Sequence, residues 1–148
     1  MSSYLSIYIK LKDENTPLFL TDFSRSHPMY DVIREEVSVV YIDNDDKPRY
    51  SDLSAASLNA AVNEYEQKIA KETQRIDTRM DALKSLNGEH ATEVCSDILS
   101  DIDTMKEYRE ELEETKHELE HLAWLANVIE ANAEYSWCNT EKLVANID

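Results

Sequence analysis

The sequence predicts an α+β protein. A small N-terminal module of two or three β-strands and a short helix packs at the base of a long antiparallel two-helix coiled-coil hairpin. Three observations support this. Polarity alternates with a period of two near the N-terminus, and apolar residues recur every three and a half or so across residues 53–133. The chain also has a single glycine in 148 residues, which leaves few tight turns.

The N-terminal module begins with the alternating residues 4–12, a pattern typical of a half-buried strand. Residues 18–20 predict a short second strand that returns as a hairpin. Ser26, His27 and Pro28 can open a short helix that ends near Glu36. Residues 37–42 are β-branched and aromatic, and they predict a third strand followed by a polar turn at 43–46.

The hairpin is predicted from two matched heptad series. The first is Val62, Ile69, Ile76 and Leu83, interleaved with Leu58, Tyr65 and Leu86. The second is Ile98, Met105, Leu112, Leu119 and Ala126, interleaved with Val94, Ile102, Tyr108, Leu122 and Ile129. Such repeats form the seam of a coiled coil. Ser51 or Ser54 can cap the first helix, and Asn87-Gly88 predicts the tip between the two.

These assignments divide the chain into a base module at 1–50, a hairpin at 51–134 with its tip at 87–88, and a C-terminal segment at 135–148 that returns to the base. Asn139, Thr140 and Glu141 can cap a final short helix through Ile147. Residues 119–129 are apolar on nearly all sides of the second helix. We therefore expect the strands as well as the partner helix to cover that end.

Acidic residues are concentrated in the second half of the chain. Of the net charge of −16, residues 1–50 carry −3, residues 51–86 carry −1 and residues 87–148 carry −12. Six acidic pairs stand four residues apart on the second long helix, from Glu93/Asp97 to Glu114/Glu118. Each pair costs a few tenths of a kcal/mol. We expect Lys68 and Arg75 to offset part of this charge by pairing across the hairpin with Glu111 or Glu118.

The remaining acid predicts a negative stripe that binds a partner. Its residues are Asp97, Asp101, Asp103, Glu107, Glu110, Glu111, Glu114 and Glu118. Such a surface repels nucleic acid and anionic membranes and attracts a basic protein through long-range, salt-sensitive forces. A face that serves only solubility is the other explanation of the same pattern.

The segment HELEH at residues 117–121 resembles the H-E-x-x-H helix of zinc metalloproteases. The resemblance implies His117 and His121 as metal ligands and Glu118 as the general base. It covers five residues, no G-x-x-H follows His121, and Glu141 is the residue at a glutamate-ligand spacing. The segment 110–120 contains six glutamates, so composition accounts for such a match. We expect this segment to be a solvated face of the helix. Incidental metal binding by the two histidines ranks second.

No other pattern predicts an enzyme or a cofactor. Cys95 and Cys138 are too far apart in sequence for a CxxC motif, so we expect reduced structural thiols. Residues 43–46 lack the glycine and the terminal glutamate of a calcium loop. The single glycine cannot build a phosphate cradle.

The sequence therefore favours a non-enzymatic interaction or assembly protein that presents its hairpin to a basic partner or to a second copy, including as a homodimer. The alternative is an acidic inhibitor, such as a phage encodes, that mimics nucleic-acid phosphates and blocks a nucleic-acid-binding protein. A zinc hydrolase is a distant third. With neither a signal peptide nor a membrane span in the sequence, we predict a cytoplasmic location, or the host cytoplasm for a phage protein.

Overall fold

A computed structural model of the chain describes residues 4–36, 50–88 and 91–147. The strands within these residues are β1 (Tyr4–Leu11), β2 (Leu18–Ser24), β3 (Ser51–Asp52) and β4 (Thr140–Ile147). The helices are α1 (Pro28–Glu36), α2 (Ala55–Lys84) and α3 (Ala91–Asn132). The strands form one antiparallel sheet in the order β2-β1-β4-β3, and α2 packs against α3. The predicted α+β fold with a long helical hairpin is confirmed.

The N-terminal hairpin follows from the alternation in β1. Leu5 and Ile7 are fully buried, whereas Lys10 is exposed. β1 pairs antiparallel with β2, and a register shift between Ile7 and Tyr8 marks a bulge. β2 continues to Ser24, beyond the three residues that its apolar run predicted. The expected third strand at 37–42 and the turn at 43–46 lie outside the described residues.

The C-terminal segment is a strand, so the predicted final helix is wrong. β4 lies between β1 and β3, with Leu5 opposite Ile147 and Ser51 opposite Ala145. Its last five described residues, 143–147, are buried. A strand inside a sheet satisfies its backbone groups on both sides and buries both faces, which outweighs a local capping pattern.

Two side chains cap the start of α2. Ser54 Oγ accepts a hydrogen bond from the backbone N–H of Ser57 at 3.1 Å, which confirms Ser54 as a cap of α2. Glu130 Oε2 accepts the N–H of Ala55 at 2.7 Å, so α3 supplies a second group to the same helix end. Both contacts satisfy donors that an α-helix leaves without an internal partner.

By contact density the chain forms two compact units, Met1–Val62 with Glu118–Asp148, and Asn63–His117. We call these the sheet unit and the hairpin unit. The sheet unit buries apolar side chains from the strands, from α1 and from the long helices; they include Leu5, Ile7, Ile33, Leu58, Leu119, Leu143 and Ile147. The hairpin unit buries Ile76, Ile102 and Leu112.

The seam of α3 departs from the prediction at two residues. Tyr108 is 47% exposed and Val94 is also exposed, whereas Arg109 is half-buried. The contact positions are Ile102, Met105, Arg109 and Leu112. They follow one another at steps of three, four and three residues, as knobs-into-holes packing requires. An apolar side chain one position away from this series faces solvent.

The tip lies at Asn87-Gly88, between the end of α2 at Lys84 and the start of α3 at Ala91. Gly88 has φ = 102°, a backbone conformation that side chains with a Cβ rarely adopt. The chain's single glycine therefore lies between the two long helices at a positive φ.

Gly88→Ala should lower the free energy of unfolding by about 1–2 kcal/mol. An added Cβ would meet nothing within 4 Å, so the cost comes from the positive φ and not from a clash. Urea unfolding followed by circular dichroism measures it. Gly88→Asn is the matched control, because asparagine tolerates positive φ better and should recover part of the loss. Equal stability of Gly88→Ala and wild type would contradict the strained turn.

Candidate functional site

The predicted stripe is largely an exposed face of α3. Within the hairpin unit it consists of seven exposed carboxylates, which we call the acidic surface: Asp97, Asp101, Asp103, Glu107, Glu110, Glu111 and Glu114. They lie between the seam positions of the helix, so packing against α2 does not cover them. At 1.5 Å per residue the surface extends over about 25 Å of helix.

Glu118, the eighth predicted residue, has a different environment from the seven exposed carboxylates. It belongs to the sheet unit and is half-buried, with Oε2 at 3.8 Å from Nε2 of His27. His27 Nδ1 accepts the N–H of Met29 at 3.1 Å, so the neutral ring carries its proton on Nε2, the atom nearest Glu118. The geometry gives Glu118 a contact next to the start of α1.

The acidic surface is not neutralised by ion pairs among the described residues. Lys68 pairs with Glu64 at 3.7 Å and Arg75 with Glu72 at 2.6 Å, both within α2. The expected pairing of these cations across the hairpin with Glu111 or Glu118 is therefore wrong. Neighbours three or four residues apart on one helix are already within reach, and that short distance decides the pairing.

The two helices of the hairpin differ in charge. α2 has five acidic and five basic residues, whereas α3 has twelve acidic residues against three basic ones. In α2, Lys71, Arg75 and Arg79 line an open groove of about 520 Å³ with Met105 of α3. The excess negative charge therefore lies on α3 alone.

A polar cluster inside the hairpin seam was missed by the sequence reasoning. Glu72 is only 6% exposed; its Oε1 accepts a hydrogen bond from Arg75, and its Oε2 is buried with no partner among the described groups. Arg109 donates to Thr73 Oγ1 at 3.3 Å across the helices. The heptad position of Glu72 between Ile69 and Ile76 was the signal that could have identified it.

The HELEH segment does not assemble a metal site in the described residues. His117 and His121 are exposed on α3, and no group of three potential ligands is found in the part of the chain that the structure describes. Glu141, at the spacing of a third ligand, lies in β4 with Oε2 at 3.3 Å from Lys10 Nζ. Catalytic zinc sites in proteins have three protein ligands, and the described residues bring no third one to this pair of histidines.

The outer face of the sheet carries aromatic and charged residues. Tyr8 makes edge contacts with Phe19 at 5.8 Å and with Tyr50 at 5.2 Å between ring centroids. Burial, and to a smaller extent the neighbouring Tyr8, raise the pKa of Tyr50. Lys142 Nζ lies 2.7 Å from Asp52 Oδ1, so the aspartate offsets the charge of the lysine. Both residues line a cavity of about 230 Å³.

Both cysteines are free thiols. Cys138 is buried, with Sγ 3.2 Å from the hydroxyl oxygen of Thr140, and this hydrogen bond lowers the pKa of the thiol. Its burial limits the access of a substrate or an oxidant to the sulfur.

The C-terminal end of α3 is exposed where we expected it to be covered. Trp124 is 66% exposed and Val128 39%. Beyond the helix, Tyr135 is 54% and Trp137 73% exposed. Leu119, Ala123 and Ala126, on the other side of the same helix, are buried.

Comparison with known proteins gives no match, whether to a family model, a curated protein or a solved structure. Within the described residues no helix combines the length and the apolarity needed to cross a membrane.

Proposed function

We propose that the chain is a non-enzymatic interaction protein whose acidic surface docks onto a basic region of another protein. One observation carries the proposal: seven exposed carboxylates follow one helix for about 25 Å, and no ion pair among the described residues neutralises them. The alternative, a face that serves only solubility, leaves the repulsion between neighbouring carboxylates without a compensating gain.

The energetics favour a partner that brings positive charge. Acidic side chains four residues apart on one helix destabilise it by a few tenths of a kcal/mol per pair. A basic surface would relieve several of these repulsions at once, and the field of the helix would accelerate the encounter at low salt. The expected complex therefore forms quickly and weakens as salt rises.

An inhibitor that mimics nucleic acid uses the same surface and is the second candidate. Glu107, Glu110 and Glu114 present negative charges at steps of about 5 Å along the helix axis. That linear repeat is about one and a half times the rise between successive phosphates of one nucleic-acid strand, roughly 3.4 Å. The two candidates differ in what the partner binds when this protein is absent.

Charge reversal tests the proposal. The tagged protein is used as bait in an extract of its host, and a protein recovered in stoichiometric amount and released by salt is purified and titrated. Glu107→Lys, Glu110→Lys and Glu114→Lys together should weaken its binding at least about tenfold, because three attractive contacts become repulsive. Circular dichroism should show unchanged helix content.

The matched control reverses three exposed acids of α2: Glu64→Lys, Asp77→Lys and Asp81→Lys. Both triple variants change the net charge equally. If both lose binding to the same extent, net charge and not the acidic surface governs the interaction; if neither does, the docking proposal is wrong. Displacement of the partner by duplex DNA or by RNA would identify the inhibitor, and its absence would favour assembly with a basic protein.

A further inference from the structure

A row of positive charge follows one face of α2. Lys71, Arg75 and Arg79 stand four residues apart, so they lie on the same face at steps of about 6 Å along the helix axis. All three line the open groove of about 520 Å³, which lies within the hairpin unit. The described residues that line it include no carboxylate. We call it the cationic groove, a locally positive site in a chain of net charge −16.

The central cation of the groove is oriented from inside the helix seam. The Arg75 guanidinium donates to Glu72 Oε1 at 2.6 Å, and Glu72 is only 6% exposed. The arginine therefore has a buried anchor, while 60% of its own side chain remains exposed. A guanidinium has five N–H donors in a planar fork, so this contact leaves donors for a ligand. A side chain that is already oriented loses less conformational entropy on binding.

The two outer cations of the groove lack a neutralising acid. Neither Lys71 nor Arg79 takes part in an ion pair among the described residues. Lys68, an exposed lysine of the same helix, does pair with an acid. Like charges four residues apart destabilise a helix, and Arg75 stands at that distance from both outer cations. A bound anion would remove this repulsion.

The spacing of the cations indicates a compact ligand with several negative charges. The three positions span about 12 Å along the helix axis. A carboxylate brings one charge, whereas a phosphate group brings about −1.5 to −2 near pH 7 and three acceptor oxygens. Arginine binds phosphate oxygens bidentately, and the Gln74 amide is a further donor in the lining. The lining therefore suits a short run of phosphate groups.

The net charge of the chain limits the size of the ligand. A nucleic acid or an anionic membrane would extend beyond the groove and meet the repulsion of the whole chain. A small anion inside the groove is affected mainly by charges within a Debye length, about 8 Å at physiological salt. Half-buried Met105 is the apolar part of the lining and suits an organic group attached to the phosphates.

We propose that the cationic groove binds a small soluble ligand that carries a diphosphate or triphosphate group. Lys71 and Arg79 contact phosphate oxygens at the two ends of the groove, and Arg75, oriented by Glu72, contacts them between these ends. The site uses α2, so it does not depend on the acidic surface of α3 or on the proposed function.

Titration of the ¹⁵N-labelled full chain with inorganic triphosphate tests the proposal. In about 0.1 M salt without divalent cations, the amide signals of residues 71–79 should shift. We expect a Kd of about 0.1–1 mM, as for a few charge-assisted hydrogen bonds at an open site. Orthophosphate should bind at least about tenfold more weakly, because it contacts fewer of the cations at once. Tighter binding of ATP than of triphosphate would identify a nucleotide as the source of the phosphates.

Two double variants locate the site. Lys71→Gln with Arg79→Gln should raise the Kd for triphosphate at least about tenfold, because two charge-assisted contacts are lost. Lys68→Gln with Lys84→Gln is the matched control. It makes the same change in charge on the same helix but at residues outside the groove lining, so the Kd should change less than about twofold. All four side chains are exposed and glutamine favours helix, so circular dichroism should be unchanged.

Four results would overturn the proposal. The first is the absence of shifts at residues 71–79 up to about 10 mM triphosphate. The second is an equal loss in both double variants, which would mean an unspecific attraction of anions to α2. The third is citrate binding as tightly as triphosphate, which would exclude a preference for phosphate groups. The fourth is binding to phosphoinositide vesicles but not to triphosphate, which would make the groove a membrane contact. None of them bears on the acidic surface, which the charge-reversed α3 variant tests separately.

Discussion

Replacing Leu119 by alanine should lower the free energy of unfolding by about 3–5 kcal/mol. Leu119 is fully buried in the part of α3 that belongs to the sheet unit. Alanine removes the contacts of the side chain and leaves a cavity that the surrounding core fills only in part. Since a domain is stable by only about 5–15 kcal/mol, this single change should remove a large share of the total. Urea unfolding followed by circular dichroism measures the loss.

Leu99→Ala is the matched control for this prediction. Leu99 is in the same helix and has the same chemistry, but it is 47% exposed. Its replacement should change the free energy of unfolding by less than about 0.5 kcal/mol, because surface substitutions rarely exceed that. A cost below about 1 kcal/mol for Leu119→Ala, or equal costs for the two variants, would contradict the burial of Leu119.

The helical hairpin was predictable because its causes are local. Residues at heptad spacing, such as Ile76 and Leu112, turn one face of each helix toward the other, and no strand pattern competes with them over such lengths. The turn was equally readable, since Gly88 is the only glycine that the chain could place at a positive φ. The length of the helices and their regular apolar period made the hairpin predictable from the sequence.

The errors concern residues whose environment depends on distant parts of the chain. Residues 140–147 form a strand because β1 and β3 lie on either side of them, which the local capping pattern at Asn139 does not reveal. Trp124 and Val128 were expected to be covered because they are apolar. Apolar character identifies an apolar helix face, but it does not show whether another part of the chain covers that face.

The acidic surface was predictable as an exposed face, since carboxylates are almost never fully buried without a partner. The same rule concealed Glu72, which sequence reasoning would assign to solvent. Its heptad position places it in the seam, and Arg75, one turn further on, compensates the carboxylate. Both acidic features follow from the helix period, one from its outer positions and the other from its inner ones.

Glu72→Met should raise the free energy of unfolding by about 1–3 kcal/mol. The carboxylate is buried at a seam position, and one of its oxygens has no hydrogen-bond partner among the described groups. Methionine has a similar length and no charge to desolvate. Arg75→Met removes the other partner of the pair and leaves the buried carboxylate without its cation. It should lower the free energy of unfolding by about 2–3 kcal/mol. The double variant should be close to Glu72→Met in stability, because the cation matters only while the carboxylate is present.

The exposed pair of Lys68 and Glu64 on the same helix is the control. Glu64→Met should change the stability by less than about 0.5 kcal/mol, as is usual for a surface ion pair. Urea unfolding of the wild type, of the two single variants at Glu72 and Arg75 and of their double variant gives the double-mutant cycle. Glu64→Met is measured in the same way. A stabilised Glu72→Met would mean that the carboxylate is kept at a cost in stability, in the way that polar seam residues fix the register of coiled coils. A destabilised Glu72→Met would instead mean that both carboxylate oxygens are engaged in the folded hairpin, and that this network holds the two helices in register.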